Sequence, residues 1–132
     1  MSRSGYSDDC DGWALIRWRG AVASAIKGKR GQAFLRELLD ALDAMPVKEL
    51  ITEDLERDGS YCALGVVGAR RGLDLKAIDA EYPGEVAKHF EIARALAAEI
   101  SYENDEASPF IREPPGQLWM RMRNWTAENI KP

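Results

Sequence analysis

The stretch Tyr61 to Arg71, Tyr-Cys-Ala-Leu-Gly-Val-Val-Gly-Ala-Arg-Arg, does most to limit what this chain can become. From Cys62 to Ala69 every residue is apolar or small. A helix that is apolar all round is stable only when protein surrounds it, so this segment calls for a bundle built around itself. Gly65 and Gly68 each cost about 1 kcal/mol of helix propensity against alanine. Their smallness is read as room for a neighbouring helix to approach. Ser60 is the expected N-cap, Gly72 the C-cap, and Leu73 the hydrophobic contact that accompanies such a cap.

The rest of the chain supplies the surrounding helices. Leu15, Trp18, Val22, Ala25 and Ile26 recur at three- and four-residue spacing, which predicts a first helix from about Trp13, capped by Asp11 and closed by a left-handed Gly28. After the basic turn Lys27 to Gly31, residues 32–45 predict a second helix with Phe34, Leu35, Leu38, Leu39 and Leu42 on its apolar face, Arg36 and Asp40 paired on its exposed side, and Pro46 as its stop. Leu50 to Leu55 fits either a short helix or an extended segment, and Asp58-Gly59 is a turn signal. Asp74 to Asp79 allows one short helical turn. Pro83 opens a long fourth helix to about Glu103, and Pro114-Pro115 a fifth carrying Leu118, Trp119, Met122 and Trp125. No segment alternates convincingly as a strand. The expected fold is therefore all-α: one compact domain over 13–132, a bundle of about five helices, behind a loose arm at 1–12.

A chain of 132 residues can bury a real core. Cys10 and Cys62 form neither a disulfide framework nor a metal pair. No basic start leads into an apolar run, and no apolar run approaches the ~20 residues of a membrane span. A cytosolic protein without membrane contact is expected.

The net charge of −4 conceals a segregation. Residues 1–12 carry one base and three acids, whereas 13–36 carry six bases and no acid. Residues 37–106 hold seventeen acids against seven bases, and 107–132 four bases against two acids. Such asymmetry speaks to partners rather than fold. Arg17, Arg19, Lys27, Lys29 and Arg30 make a basic hairpin suited to phosphate oxygens, with Gly28 and Gly31 permitting close backbone approach. Against nucleic acid stands the acidic balance of the whole domain, because the same bases can pair with carboxylates of their own chain. Residues 37–106 could alternatively imitate a nucleic-acid backbone if their carboxylates form one continuous face.

Glu99, Glu103, Asp105 and Glu106 are oxygen donors of the kind magnesium or calcium takes, but neither a calcium-loop pattern nor a Glu-x-x-His motif accompanies them. No metal is therefore assigned. Cys62 sits in the apolar helix and His89 beside the core stripe, with nothing to bring them together or orient them. With no phosphate loop, nucleophile elbow or zinc signature, the chain reads as a non-enzyme with no cofactor and no small-molecule substrate. Arg17, Arg19, Arg121 and Arg123 flank Trp13, Trp18, Trp119 and Trp125. Tryptophan and arginine are typical interface anchors, so Trp119, Arg121 and Arg123 join the basic hairpin as candidate partner-binding residues.

Four strings stand out together: GKRGQAFLRELLDALDAMP, GSYCALGVVGARRGLDL, EIARALAAEISYENDE and LWMRMRNW. They resemble a group of small proteins encoded by tailed bacteriophages and prophages. The resemblance spans nearly the whole chain after the arm and transfers no catalytic residue. It implies a setting, the cytoplasm of an infected or lysogenic bacterium. There a protein without catalytic motifs is expected to bind a host protein or ribonucleoprotein complex stoichiometrically, as an anti-CRISPR-like inhibitor of a defence system. Nucleic-acid binding through the basic hairpin is the alternative.

Overall fold

The computed structural model describes residues 3–6, 12–109 and 111–132, with only the backbone for residues 12 and 13. Among these are six α-helices: α1 Gly12–Lys27, α2 Lys29–Asp43, α3 Ala63–Arg70, α4 Pro83–Phe90, α5 Arg94–Asp105 and α6 Pro115–Glu128. One 3-10 turn, Leu75–Ala77, and a two-stranded hairpin, β1 Glu56–Arg57 with β2 Ser60–Tyr61, complete the architecture. The fold is compact and mostly helical, and α3 packs against α2, α5, β2 and the 3-10 turn at its centre. The expected caps at Asp11 and the expected context of Cys10 lie outside the described residues.

Helices α1 and α2 meet with Gly28 alone between them. This glycine is extended (φ −69°, ψ 161°) and starts α2 rather than closing α1 in the left-handed conformation. The basic turn is thus drawn into helix, and α2 begins at Lys29 instead of Gln32. Gly31 explains how: a Cβ there would stand 1.8 Å from the Ala25 carbonyl oxygen, so only glycine lets the first turn of α2 rest on the last turn of α1. Gln32 Nε2 then donates to the carbonyls of Ile26 (2.8 Å) and Asn129 (2.9 Å), satisfying two helix ends at once. Arg36 does not pair with Asp40; its Nη2 donates to the Lys131 carbonyl at 3.1 Å.

The ambiguous segment before α3 is neither a helix nor fully extended: it bends at Glu53, which takes positive φ (73°), and Asp54 N–H donates to the Thr52 carbonyl at 2.9 Å. Ile51 N–H donates to the Tyr61 carbonyl at 3.0 Å. Asp58 and Gly59 both take positive φ (53° and 79°), the signature of the tight hairpin turn whose twist matches paired strands. Two-residue strands are too short to show alternation, so the sequence carries the turn but not the hairpin. Because Ser60 and Tyr61 belong to β2, the helix cap moves to Cys62, whose Sγ accepts from Gly65 N–H at 3.4 Å. Gly65 faces the Leu55 backbone, and Gly68 faces Leu75 and the Phe90 ring. The left-handed Gly72 (φ 74°) closes α3 as expected, with Leu73 N–H bonded to the Gly68 carbonyl at 2.9 Å and Gly72 N–H to that of Ala69 at 3.1 Å.

The single long helix expected over 83–103 is two helices. The chain breaks at Glu91, which adopts the left-handed conformation (φ 59°, ψ 42°) without being glycine. Arg71 holds the break from outside. Its Nη1 donates to the Phe90 carbonyl at the end of α4 (3.0 Å), while Nε and Nη2 grip Glu37 at 2.8 and 2.5 Å. The guanidinium also lies 5.5 Å from the Phe34 ring centre. That hydrogen-bonded pairing holds the Glu37 carboxyl below its usual range.

Candidate binding surfaces

The terminal tryptophan–arginine set divides on inspection of its partners. Trp119 is 6% exposed, and its Nε1 donates to the Leu42 carbonyl at 3.0 Å, so the ring is core and not an interface anchor. Arg121 binds Glu113 (2.9 Å) and the carbonyls of Glu103 (2.5 Å) and Asn104 (3.4 Å). Arg123 reaches Asp43 at 3.1 Å. All three residues predicted on α6 thus have partners within the chain, which tie α6 to α2 and to the end of α5.

The basic hairpin behaves differently. Lys27, Lys29, Arg30 and Arg36 are exposed, and Lys131 folds back beside them, its Nζ donating to the Lys27 carbonyl at 3.0 Å. Gln32 fixes this return by accepting from Lys131 N–H at 2.8 Å. The result is a corner of five cations, none in an ion pair with a described residue. Lys131 could not be assigned to it from sequence, since it lies 104 residues from Lys27. Two of the five occupy the first turn of α2, where a helix dipole favours acids, and Gly28 supplies no side-chain cap. Arg17 is exposed too and in no ion pair with a described residue, but it lies ten residues before Lys27, about 15 Å along α1. Arg19 is 61% exposed, with Nη1 3.6 Å from Glu99.

The acidic candidates do not converge. Glu99 accepts from the Tyr6 hydroxyl at 2.8 Å, Asp105 from Arg3 at 2.6 and 2.8 Å, and Glu106 from Ser4 at 2.8 Å. Glu103 stands apart beside Arg121; burial, then the nearby Glu99, raise its carboxyl above the ordinary value. Among the described residues no three His, Cys, Asp or Glu side chains gather where one metal ion could be held. Residues 3–6, expected in the loose arm, instead lie along α5, with Arg3 only 3% exposed and its Nη1 3.5 Å from Cys62 Sγ. Arg3 walls a cleft of about 720 Å³ with Glu53, Asp54, Glu56, Asp79 and Glu81. Of these carboxylates Glu53, Asp79 and Glu81 are exposed, while Asp54 and Glu56 are half-buried. Cys62 is buried as a helix cap and His89 is exposed on α4.

Tyr6 provides a pH-dependent test of this N-terminal contact. Burial, then its hydrogen bond to Glu99, raise its hydroxyl above the ordinary phenol value. The folded state holds this proton more tightly than the unfolded chain. Its stabilisation is full below pH about 10 and declines as pH rises beyond that. Tyr6→Phe should cost about 1 kcal/mol at pH 8. By urea denaturation the gap to wild type should narrow steadily above pH 10; a constant gap would show that the Tyr6–Glu99 bond does not form.

No helix among the described residues is long and apolar enough to cross a membrane. Comparison with protein-family models, curated proteins and solved structures returned no match to this chain.

Proposed function

We propose that this protein acts stoichiometrically, as a phage or prophage accessory protein that binds a host macromolecule in the bacterial cytoplasm through its cationic corner. The corner itself carries the reading. Lys27, Lys29, Arg30, Arg36 and Lys131 are brought together with none of them in an ion pair with a described residue, although the chain has more acids than bases. Like charges so placed repel one another, and two of them oppose the α2 dipole. An anionic partner offsets both costs. In the setting implied by the phage resemblance, a ribonucleoprotein defence complex is the partner class that joins such a surface to inhibition. Tagged protein should capture one complex from host lysate, at fixed stoichiometry, with and without nuclease. Recovery of no specific complex would remove this reading.

A second reading, direct nucleic-acid binding at the same corner, is favoured by the start of α2, where Gly28 leaves backbone amides without a side-chain acceptor. It predicts an affinity for single- or double-stranded oligonucleotides that falls steeply with salt, with a log–log slope between about −3 (single strands) and about −4.5 (duplex) for four or five neutralised phosphates. K29E/R30E should reduce that slope by about 2. Capture that disappears with nuclease would favour this reading over the first.

A further inference from the structure

We propose that the groove between α2 and α3 is a self-association surface whose occupant is a second copy of this chain, related by a two-fold axis. The groove has a volume of about 450 Å³ and is walled by Ala41, Met45, Val47, Tyr61, Val66 and Ala69. It shares no lining residue with the cationic corner and goes beyond the binding role assigned there.

Its floor and rim follow from local structure. Ala41 and Val66 are buried and form the floor, while Val47 is 60% exposed on the loop that follows α2. The small side chains Ala44 and Ala69 are exposed, leaving both helix backbones accessible to a close neighbour. An apolar channel with a projecting valine beside it offers both a hole and a knob.

Charge selects the occupant. Arg70 lines the groove at the C-terminal end of α3. Glu49 also lines it and belongs to the other end, because Ile51, two residues on, bonds to Tyr61 just before α3 begins. The eight residues of α3 set these ends about 12 Å apart. Neither Glu49 nor Arg70 forms an ion pair or side-chain hydrogen bond with a described residue, although Arg70 lies close enough to help lower the Glu37 carboxyl. An apolar centre with an unpaired base at one end and an unpaired acid at the other is self-complementary under two-fold rotation: Glu49 of each copy meets Arg70 of the other. A partner of a single charge sign satisfies only one end. Such a dimer also carries two cationic corners, which multiplies avidity for an extended anionic target.

The test is sedimentation equilibrium of the full chain from about 1 to 500 μM, a range that brackets a modest interface of this kind. Wild type should show a reversible dimer. E49R places arginine against arginine at both contacts and R70E places glutamate against glutamate, so each should weaken dimerisation at least about 10-fold. E49R/R70E should restore it to within about 3-fold of wild type, because the swapped charges pair again. Val47→Asp, at the exposed knob, should also abolish the dimer. All three positions of change are at the surface, and circular dichroism confirms each variant's fold. A monomer throughout the range, a dimer indifferent to the single reversals, or a double variant that stays monomeric each overturns the proposal; in the first case the groove belongs to a different partner or to none.

Discussion

Gly65→Ala should destabilise the protein by about 3 kcal/mol or more, lowering the melting temperature by on the order of 10 °C. The reason is steric. An alanine Cβ at this position would lie 1.9 Å from the Leu55 carbonyl oxygen and 2.9 Å from its carbon. That carbonyl also accepts the Cys62 N–H bond at 3.3 Å, so it cannot retreat without undoing the entry to α3. Backbone has no rotamer to escape into, and the shift would spread to Leu50, Leu55 and Leu64 in the core. Gly20→Ala makes the contrast: among the described residues, nothing beyond its chain neighbours and its own helix backbone lies within 4 Å of the added Cβ, and it should stabilise α1 by about 0.5–1 kcal/mol. Equal effects of the two substitutions in urea denaturation would refute the close approach at Gly65.

Loss of the polar cluster beneath the N-terminal residues is expected to cost nearly as much. Asn104 is 1% exposed; its Oδ1 accepts from Ala63 N–H at 3.1 Å and its Nδ2 donates to the Ile51 carbonyl at 2.9 Å. Asn104→Ala strands a helix-start amide and a loop carbonyl in the interior, about 2–4 kcal/mol together. Arg3 and Asp105 add a forked pair whose side chains are 3% and 7% exposed. Breaking such a pair from one side leaves a buried charge, so R3M should cost about 3 kcal/mol, whereas R3M/D105N should recover part of it. If the double variant is less stable than the single by the full cost of D105N alone, Arg3 and Asp105 are not coupled as described.

These two sites also show what sequence reading reaches. The central position of α3 follows from composition alone, because eight apolar or small residues in a row have nowhere else to go. Its Gly72 closure was equally legible, since the left-handed position demands glycine and Leu73 follows. The tight fit at Gly65 was anticipated as a close approach, but its partner is the Leu55 backbone, not a helix. The break at Glu91 was hidden because a glutamate carries no left-handed signal; an arginine twenty residues earlier stabilises it. Cys62 as a helix cap was hidden likewise, cysteine being an unusual choice. In the candidate sites, Lys27, Lys29 and Arg30 were visible as a run, while Lys131 needed the fold to deliver it. Trp119, Arg121 and Arg123 looked like anchors because composition cannot say whether a ring or guanidinium has already found its partner within the chain.

The most direct measurement compares capture from nuclease-treated host lysate by wild-type protein and by K27E/K29E/R30E, with E53R/E56R in the acidic cleft as a charge-reversal control elsewhere on the molecule. Wild type and the cleft variant should recover the same complex in the same proportion, and the corner variant should lose it by at least about 10-fold. Undiminished capture by the corner variant would contradict the assignment of that surface as the contact through which the protein works.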